Sequence, residues 1–297
     1  MNHIVPPLRF ARAAIVLASL LALFFALSIS PRPVSADIAV QSGQKVAFLG
    51  DSITAFGWQK PAGYVNLVVA GLAANGVTVI PIPAGISGHT SKDMLARLDR
   101  DVLSKKPDWM TLSCGVNDVW HGANGVSLDD YKTNITSIVD QCQAAHIKVI
   151  ILTSTPISED LTAPNNVKLA DYNAFLRQLA AQKGCGLADL SAAFAAAIAK
   201  KTVKGNAFTV DGVHMNPAGD FIMASTILGA FGVSDAGIQT AREKWLDIPN
   251  GVPVQVTIPM TPRQWFALSD QATAAGKDIP GLIAAQAEDA LKAEFAK

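Results

Sequence analysis

Charge is scarce in this chain: Asp, Glu, Lys and Arg make up 16% of its 297 residues, and the 24 bases equal the 24 acids. With no basic excess there is no electrostatic footprint for a phosphate backbone, so nucleic acid is excluded as the expected partner. Cysteine is rarer still. Cys114, Cys142 and Cys185 are odd in number and lack metal-type spacing, so at most one internal disulfide can form. A Cys142–Cys185 bridge and three buried reduced thiols both stay open. The histidines show neither an H-x-x-x-H nor an H-E-x-x-H spacing, and no metal site is expected. Apolar residues, in contrast, are half of the chain, enough to bury one substantial core and a small second unit.

Residues 1–36 are set apart from the fold. Arg9 and Arg12 precede a continuous apolar stretch from Ala13 to about Ile29, and Val34-Ser35-Ala36 follows Pro31 and Pro33. That is the order of a secretory signal peptide cut after Ala36. The expectation is a secreted or periplasmic protein with no stable membrane insertion after cleavage; a retained anchor is the alternative, because the stretch is near the lower length limit for spanning. Arg9, Arg12 and Arg32 leave with the leader and no acid does, so the remainder is slightly acidic.

Residues 37–233 alternate short apolar runs with helical patterns. Strands are predicted at Val46–Leu49, Val77–Ile82, Trp109–Ser113, Val149–Thr153 and Gly186–Leu190. Helices are predicted at Gly63–Ala74, Lys92–Ser104, Leu128–Ala145, Val167–Gln182 and Pro217–Ala230. This alternation implies parallel strands joined by right-handed crossovers, an α/β chain folded as a three-layer α/β/α sandwich around a five-stranded sheet. Residues 234–297 read as a separate C-terminal extension. Val252–Met260 alternates apolar and polar, Thr261-Pro262 opens a helix closed by Gly276, and a second helix runs from about Asp278 to Phe295. A strand-helix-helix layout of this kind ordinarily buries its core by pairing two chains, which would make it a homodimerisation or docking element. Packing on its own domain is the alternative.

Ligand sites in such a sheet belong in the loops leaving the strand carboxyl ends. Four of these loops hold what acyl transfer needs. Gly50-Asp51-Ser52 offers an alcohol where an apolar strand stops, although Asp51 or Ser52 could equally be an ordinary helix cap. Pro83–Thr90 carries Gly85 and Gly88, which let backbone amides approach a ligand; Asn117 follows Gly115; Asp211 and His214 stand three residues apart before a helix. One short loop can aim Asp211 at His214 Nδ1, leaving Nε2 for the Ser52 hydroxyl. The amides of Ser52 and Gly88, with the Asn117 side chain, supply three donors for an oxyanion.

With these blocks in order, GDSIT, GISG, GVND and DGVH, the sequence resembles the SGNH hydrolases of the GDSL lipase/esterase group. The resemblance implies a flavodoxin-like sandwich, nucleophile Ser52, base His214, orienting acid Asp211, oxyanion donors Ser52, Gly88 and Asn117, and no cofactor. Two positions depart from the family pattern. Pro83 stands where Asn is frequent, and His89 where Asp is frequent, so the hydrogen bonding that orders this loop must differ. The activity implied is hydrolysis of carboxylic esters through an acyl-enzyme. Short loops and the absence of a lid-like insertion suit a short-chain ester, such as acetyl on a carbohydrate. A lysophospholipase or thioesterase on the same machinery is the alternative, and a non-catalytic scaffold on the same fold is an alternative of another class.

His89 and His121 also lie in exit loops, where they compete with His214 only weakly because neither has an acid at so suggestive a spacing. Together with Trp58 and Trp120 they are candidate substrate contacts, against the plainer reading of rim histidines and core aromatics. Asp51 and Asp118 are expected to tie loops together by hydrogen bonds. Asn134-Ile135-Thr136 matches a glycosylation acceptor but falls inside a predicted helix.

Overall fold

The computed structural model describes residues 38–203, 205–248 and 257–295. The leader and most of the expected strand at Val252–Met260 lie outside the described residues, and residues 257–260 carry no regular structure. Five strands, β1 (Lys45–Gly50), β2 (Ile80–Gly85), β3 (Trp109–Ser113), β4 (Lys148–Leu152) and β5 (Gly186–Ala188), form one parallel sheet in the order β2-β1-β3-β4-β5. Val46 to Gly50 and all of β3 are buried, as continuous apolar strands covered on both faces should be.

β2 sits three residues later than predicted. Its prolines explain why the edge of the sheet accepts it. The Ile80 and Ile86 amides donate to the Gln44 and Gly50 carbonyls, so the even-numbered amides point at β1. Pro81 and Pro83 fall on the odd positions, whose amides would point off the open edge, where a missing donor costs no ladder bond.

The helices are α1 (Ser52–Gln59), α2 (Tyr64–Ala74), α3 (Ser91–Ala96), α4 (Leu98–Asp101), α5 (Val116–Trp120), α6 (Leu128–Ala144), α7 (Pro164–Lys183), α8 (Leu190–Ile198), α9 (Pro217–Ala230) and α10 (Asp235–Leu246). Right-handed crossovers put α2 on one face, where α9 and α10 pack against it, and α3, α6 and α7 on the other. The single helix expected over Lys92–Ser104 is broken at Arg97, and a 3₁₀ turn at Leu103–Lys105 completes the segment. α10, assigned by sequence to the C-terminal extension, belongs to the main body: Ala241 and Trp245 are buried, and this compact unit continues to Val252.

The second unit, Pro253–Lys297, holds α11 (Pro262–Ala274) and α12 (Ile279–Phe295). Thr261 starts α11 with a reciprocal box: its hydroxyl accepts from the Gln264 amide at 3.3 Å, and Gln264 Oε1 accepts from the Thr261 amide at 2.9 Å. Gly276, at φ +63, follows its end.

In the main body the chain leaves β1 towards β2 and then returns past it to β3. This is the switch point of a doubly wound sheet, where exit loops diverge and leave a crevice. The loops after β1 and β3 carry Ser52 and Asn117 to that crevice.

Candidate active site

Ser52 is the first residue of α1, and Asp51 is its cap, accepting from the Ile53 amide at 2.9 Å. Capping and the half-buried alcohol are thus two halves of one turn. α1 lies close over the strand ends: a Cβ on Gly50 would collide with the Thr54 side chain, and one on Gly85 with the Thr54–Ala55 backbone. Asp51 is buried, and desolvation pushes its carboxyl up to about 6 against the hydrogen bond from Ile53 and the charge of His214.

His214 Nε2 stands 2.9 Å from Ser52 Oγ, and His214 Nδ1 stands 2.6 Å from Asp211 Oδ2. The other oxygen, Oδ1, accepts from the Val213 and His214 amides at 2.9 and 2.8 Å. Partial burial raises the Asp211 pKa, but these bonds from the His214 ring and the two amides outweigh it and hold the carboxyl below its ordinary value. An ionised Asp211 on Nδ1 leaves Nε2 to accept the serine proton. The Phe56 ring, one turn along α1 from Ser52, lies 5.0 Å from the His214 ring.

The loop bearing Asp211 and His214 is a tight reversal closed by Val210 N–H to His214 C=O at 2.8 Å. The exit loop of β4 supports it. The buried Glu159 carboxylate accepts from the amides of Ala207, Phe208 and Thr209 and from the Thr209 hydroxyl, and pairs with Lys201 at 3.1 Å. The Gly212 carbonyl accepts from the Ser158 amide at 2.7 Å. Glu159 was missed in the sequence, although it stands in the exit loop of a predicted strand, the criterion that singled out the other four loops.

Gly88 takes φ +79, a conformation that favours glycine. Among the described residues, the amides of Ser52 and Gly88 donate to no protein group. Asn117 spends one amide proton on the His89 carbonyl at 3.1 Å and keeps the second. The three donors named from the sequence therefore belong to adjoining loops, each with an N–H to give.

The remaining candidates separate. His89 is no free rim histidine: its Nδ1 accepts from Arg97 Nε at 3.0 Å, a partner the sequence reading did not name. His121 is exposed, and Asp118 turns away from it to accept from the Ser91 amide at 3.0 Å and the Cys114 thiol at 3.4 Å. Trp120, about half exposed, lines an open cleft of about 400 Å³ with Ile157, Ser158, Pro164 and the Asp211–Val213 turn. Trp58, near the end of α1, makes no ring contact or side-chain hydrogen bond with Ser52, Asp211 or His214. All three cysteines are free thiols. Asn134 lies within α6, its amide donating to Ser91 Oγ at 3.1 Å. Among the described residues, no three His, Cys, Asp or Glu side chains gather as metal ligands do.

The family model of the GDSL-like lipase/acylhydrolase family matches residues 48–220. The acetylxylan esterase of Geobacillus stearothermophilus is 32% identical over 214 residues, 65% of this chain and 96% of that protein. Esterase TesA of Pseudomonas aeruginosa is 32% identical over 112 residues, 37% of this chain and 54% of that protein. The crystal structure of the Geobacillus stearothermophilus enzyme superposes with a TM-score of 0.60 at 29% identity, covering 66% of this chain and 97% of that one. That of the acetyl xylan esterase AlAXEase superposes with a TM-score of 0.58 at 33% identity, covering 63% of this chain and 98% of that one. A shared fold, four ordered blocks and a family match over more than half the chain lead to one conclusion: this protein belongs to the GDSL-like lipase/acylhydrolase family and is a carboxylic ester hydrolase of SGNH type.

Proposed function

We propose that Ser52, His214 and Asp211 are the catalytic triad of an exported esterase that removes short acyl groups, acetyl above all, from carbohydrate. The observation that carries the triad is the continuous chain Ser52 Oγ, His214 Nε2, His214 Nδ1, Asp211 Oδ2, with links of 2.9 and 2.6 Å. Nε2 takes the hydroxyl proton as Oγ attacks the ester carbonyl, and Asp211 stabilises the imidazolium that forms. The carbonyl oxygen gathers negative charge and is met by the amides of Ser52 and Gly88 and the free proton of Asn117 Nδ2. His214 returns its proton to the departing alcohol. It then draws a proton from water, which attacks the acyl-enzyme and releases the acid.

The acetyl and carbohydrate assignment draws on two relatives, both named as acetylxylan esterases. It also draws on the open cleft beside Asp211, where the exposed Trp120 indole offers a flat apolar face to a sugar ring. Export draws on the leader in residues 1–36. The experiment is acetate release from acetylated xylan and p-nitrophenyl acetate by the wild type and by Ser52→Ala. The wild type is expected to be active on both, and the variant to lose about 10⁴-fold or more in kcat. Equal rates would overturn the triad. Release of fatty acid from lysophospholipid, with none of acetate from xylan, would overturn the substrate while leaving the triad in place.

A further inference from the structure

Four acceptors converge on one buried guanidinium. Arg97, 5% exposed, stands at the break between α3 and α4. Its Nη2 donates to the Gly50 carbonyl at 2.8 Å, and its Nη1 to the Ala84 carbonyl at 2.8 Å and the Asp101 carboxylate at 2.9 Å. Its Nε donates to His89 Nδ1 at 3.0 Å. Gly50 lies two residues before Ser52. Ala84 is the last residue but one of β2, which feeds the glycine loop. His89 directly follows Gly88, and its carbonyl takes the proton of Asn117 Nδ2 at 3.1 Å. Each oxyanion donor is therefore at most two residues, or one hydrogen bond, from a group that Arg97 holds.

The glycine loop needs such a brace. A Cβ built on Gly88 would meet nothing within 4 Å, so that side of the loop is open, and across Gly88 the loop is tied by a long turn bond of 3.3 Å from the His89 amide to the Ile86 carbonyl. An oxyanion donor misplaced by a fraction of an ångström loses much of its effect, and an unsupported loop does not hold its amide that closely. A planar guanidinium serves two carbonyls, a carboxylate and a ring nitrogen at once, which an ammonium on a flexible stem cannot. The acceptor role also dictates the state of His89. With Nδ1 accepting the hydrogen bond from Arg97 Nε–H, the ring is neutral and carries its own proton on Nε2. Burial and the charge of Arg97, with a smaller push from Arg100, keep its pKa below the usual imidazole value, while Asp93 and Asp101 act the other way. His89, the departure from the family pattern noted above, is thus accommodated by hydrogen bonding to Arg97.

We propose that Arg97 is a positioning residue for the oxyanion hole, bracing the serine, glycine and asparagine loops so that their three donors converge on one point. The proposal rests on the triad reading above and adds to it a residue that touches no substrate.

Arg97→Met and Arg97→Lys are to be compared with wild type for kcat and KM on p-nitrophenyl acetate, for thermal midpoint, and for inhibition by a trifluoromethyl ketone. The ketone's tetrahedral adduct with a serine puts an oxyanion in the same hole. The Met variant is expected to lose about 10- to 100-fold in kcat with KM within about threefold, and to lose ketone affinity by a similar factor. The Lys variant is expected to recover only part of each. A merely structural role would lower the thermal midpoint without moving kcat and ketone affinity together. Unchanged kcat in folded Arg97→Met, or a loss of kcat with ketone affinity intact, overturns the proposal. Should Arg97→Met not fold, His89→Leu is measured in the same way, since it removes one acceptor and leaves the guanidinium its other three. An inactive wild type or an active Ser52→Ala would instead overturn the triad and this inference with it; a failure confined to Arg97 leaves the triad standing.

Discussion

A serine hydroxyl is a poor nucleophile until a base takes its proton, and the base is useful only while something fixes its tautomer. Asp211 is placed to do so with both oxygens: one meets His214 Nδ1, and the other accepts from the two backbone amides that set the carboxylate's own direction. Asp211→Asn keeps the shape but presents an amide to Nδ1, favouring the wrong tautomer. It is expected to lose about 10²- to 10⁴-fold in kcat with little change in KM, as steady-state kinetics would reveal. The depressed pKa of Asp211 means that it stays ionised through the neutral range. Legibility at this scale follows spacing. Asp211 and His214 are three apart in one loop and could be read directly, whereas Arg97 pairs locally only with Asp101 four residues on, and its other partners lie eight, thirteen and forty-seven positions away, where no local pattern shows them. A hydrophilic residue within a helical run reads as solvated face until the fold buries it.

Loops bring the reactive groups together, but neighbouring elements hold the loops in place. Glu159 shows the principle: one buried carboxylate satisfies three consecutive amides, a hydroxyl and an ammonium ahead of the Asp211–His214 turn. These bonds outweigh the cost of its burial and hold its pKa below the ordinary glutamate value. A carboxyl whose folded pKa is depressed adds stability above its unfolded pKa and loses it as pH falls through the folded value. Glu159→Gln turns an NH₂ group towards donors that need an acceptor. It is expected to destabilise by about 1–3 kcal/mol at pH 7 and to lower kcat, with the stability difference shrinking below pH 4; denaturant melts at the two pH values check this. The edge strand carries a second lesson. Val77–Ile82 had the composition of a strand, but pairing with β1 placed β2 at Ile80–Gly85, because Pro81 and Pro83 fit only where odd-numbered amides face away from the sheet.

Across the whole main body, the buried carboxyls set a pH dependence that no single loop contains. Asp220, in the first turn of α9, accepts from the Tyr64 amide at the start of α2 at 2.9 Å, and burial pushes it up to about 7. Its folded pKa exceeds the unfolded value near 3.8, so the protonated form favours folding. That stability is complete below the unfolded pKa and is lost as pH rises through about 7. Asp220→Asn keeps an acceptor for Tyr64 without the charge. The variant is expected to match wild type near pH 3, to gain on it as pH rises from about 4 towards 7, and to melt higher than wild type at pH 8; a wild-type midpoint that stays ahead at pH 8 would refute this. The C-terminal unit is a separate matter. It carries Trp265, Phe266, Leu291 and Phe295 exposed, an apolar load suited to self-association. A chain lacking residues 252–297 is expected to run at lower oligomeric mass in light scattering while keeping its esterase activity.

The order of the four blocks, the alternation of strand and helix and the three-residue step from Asp211 to His214 are local facts. They were enough to infer the family and the fold and to name Ser52, His214 and Asp211, which the fold brings within hydrogen-bond reach, because each depends on nearest neighbours or on a backbone period. Three-dimensional packing alone determined that Arg97 would be drawn in among the loops, that Glu159 would bind the segment leading into the histidine turn, that His89 would face Arg97 and that α10 would join the core. Each of these depends on burial, which sets what a polar side chain must find as a partner, and burial is a property of the folded chain.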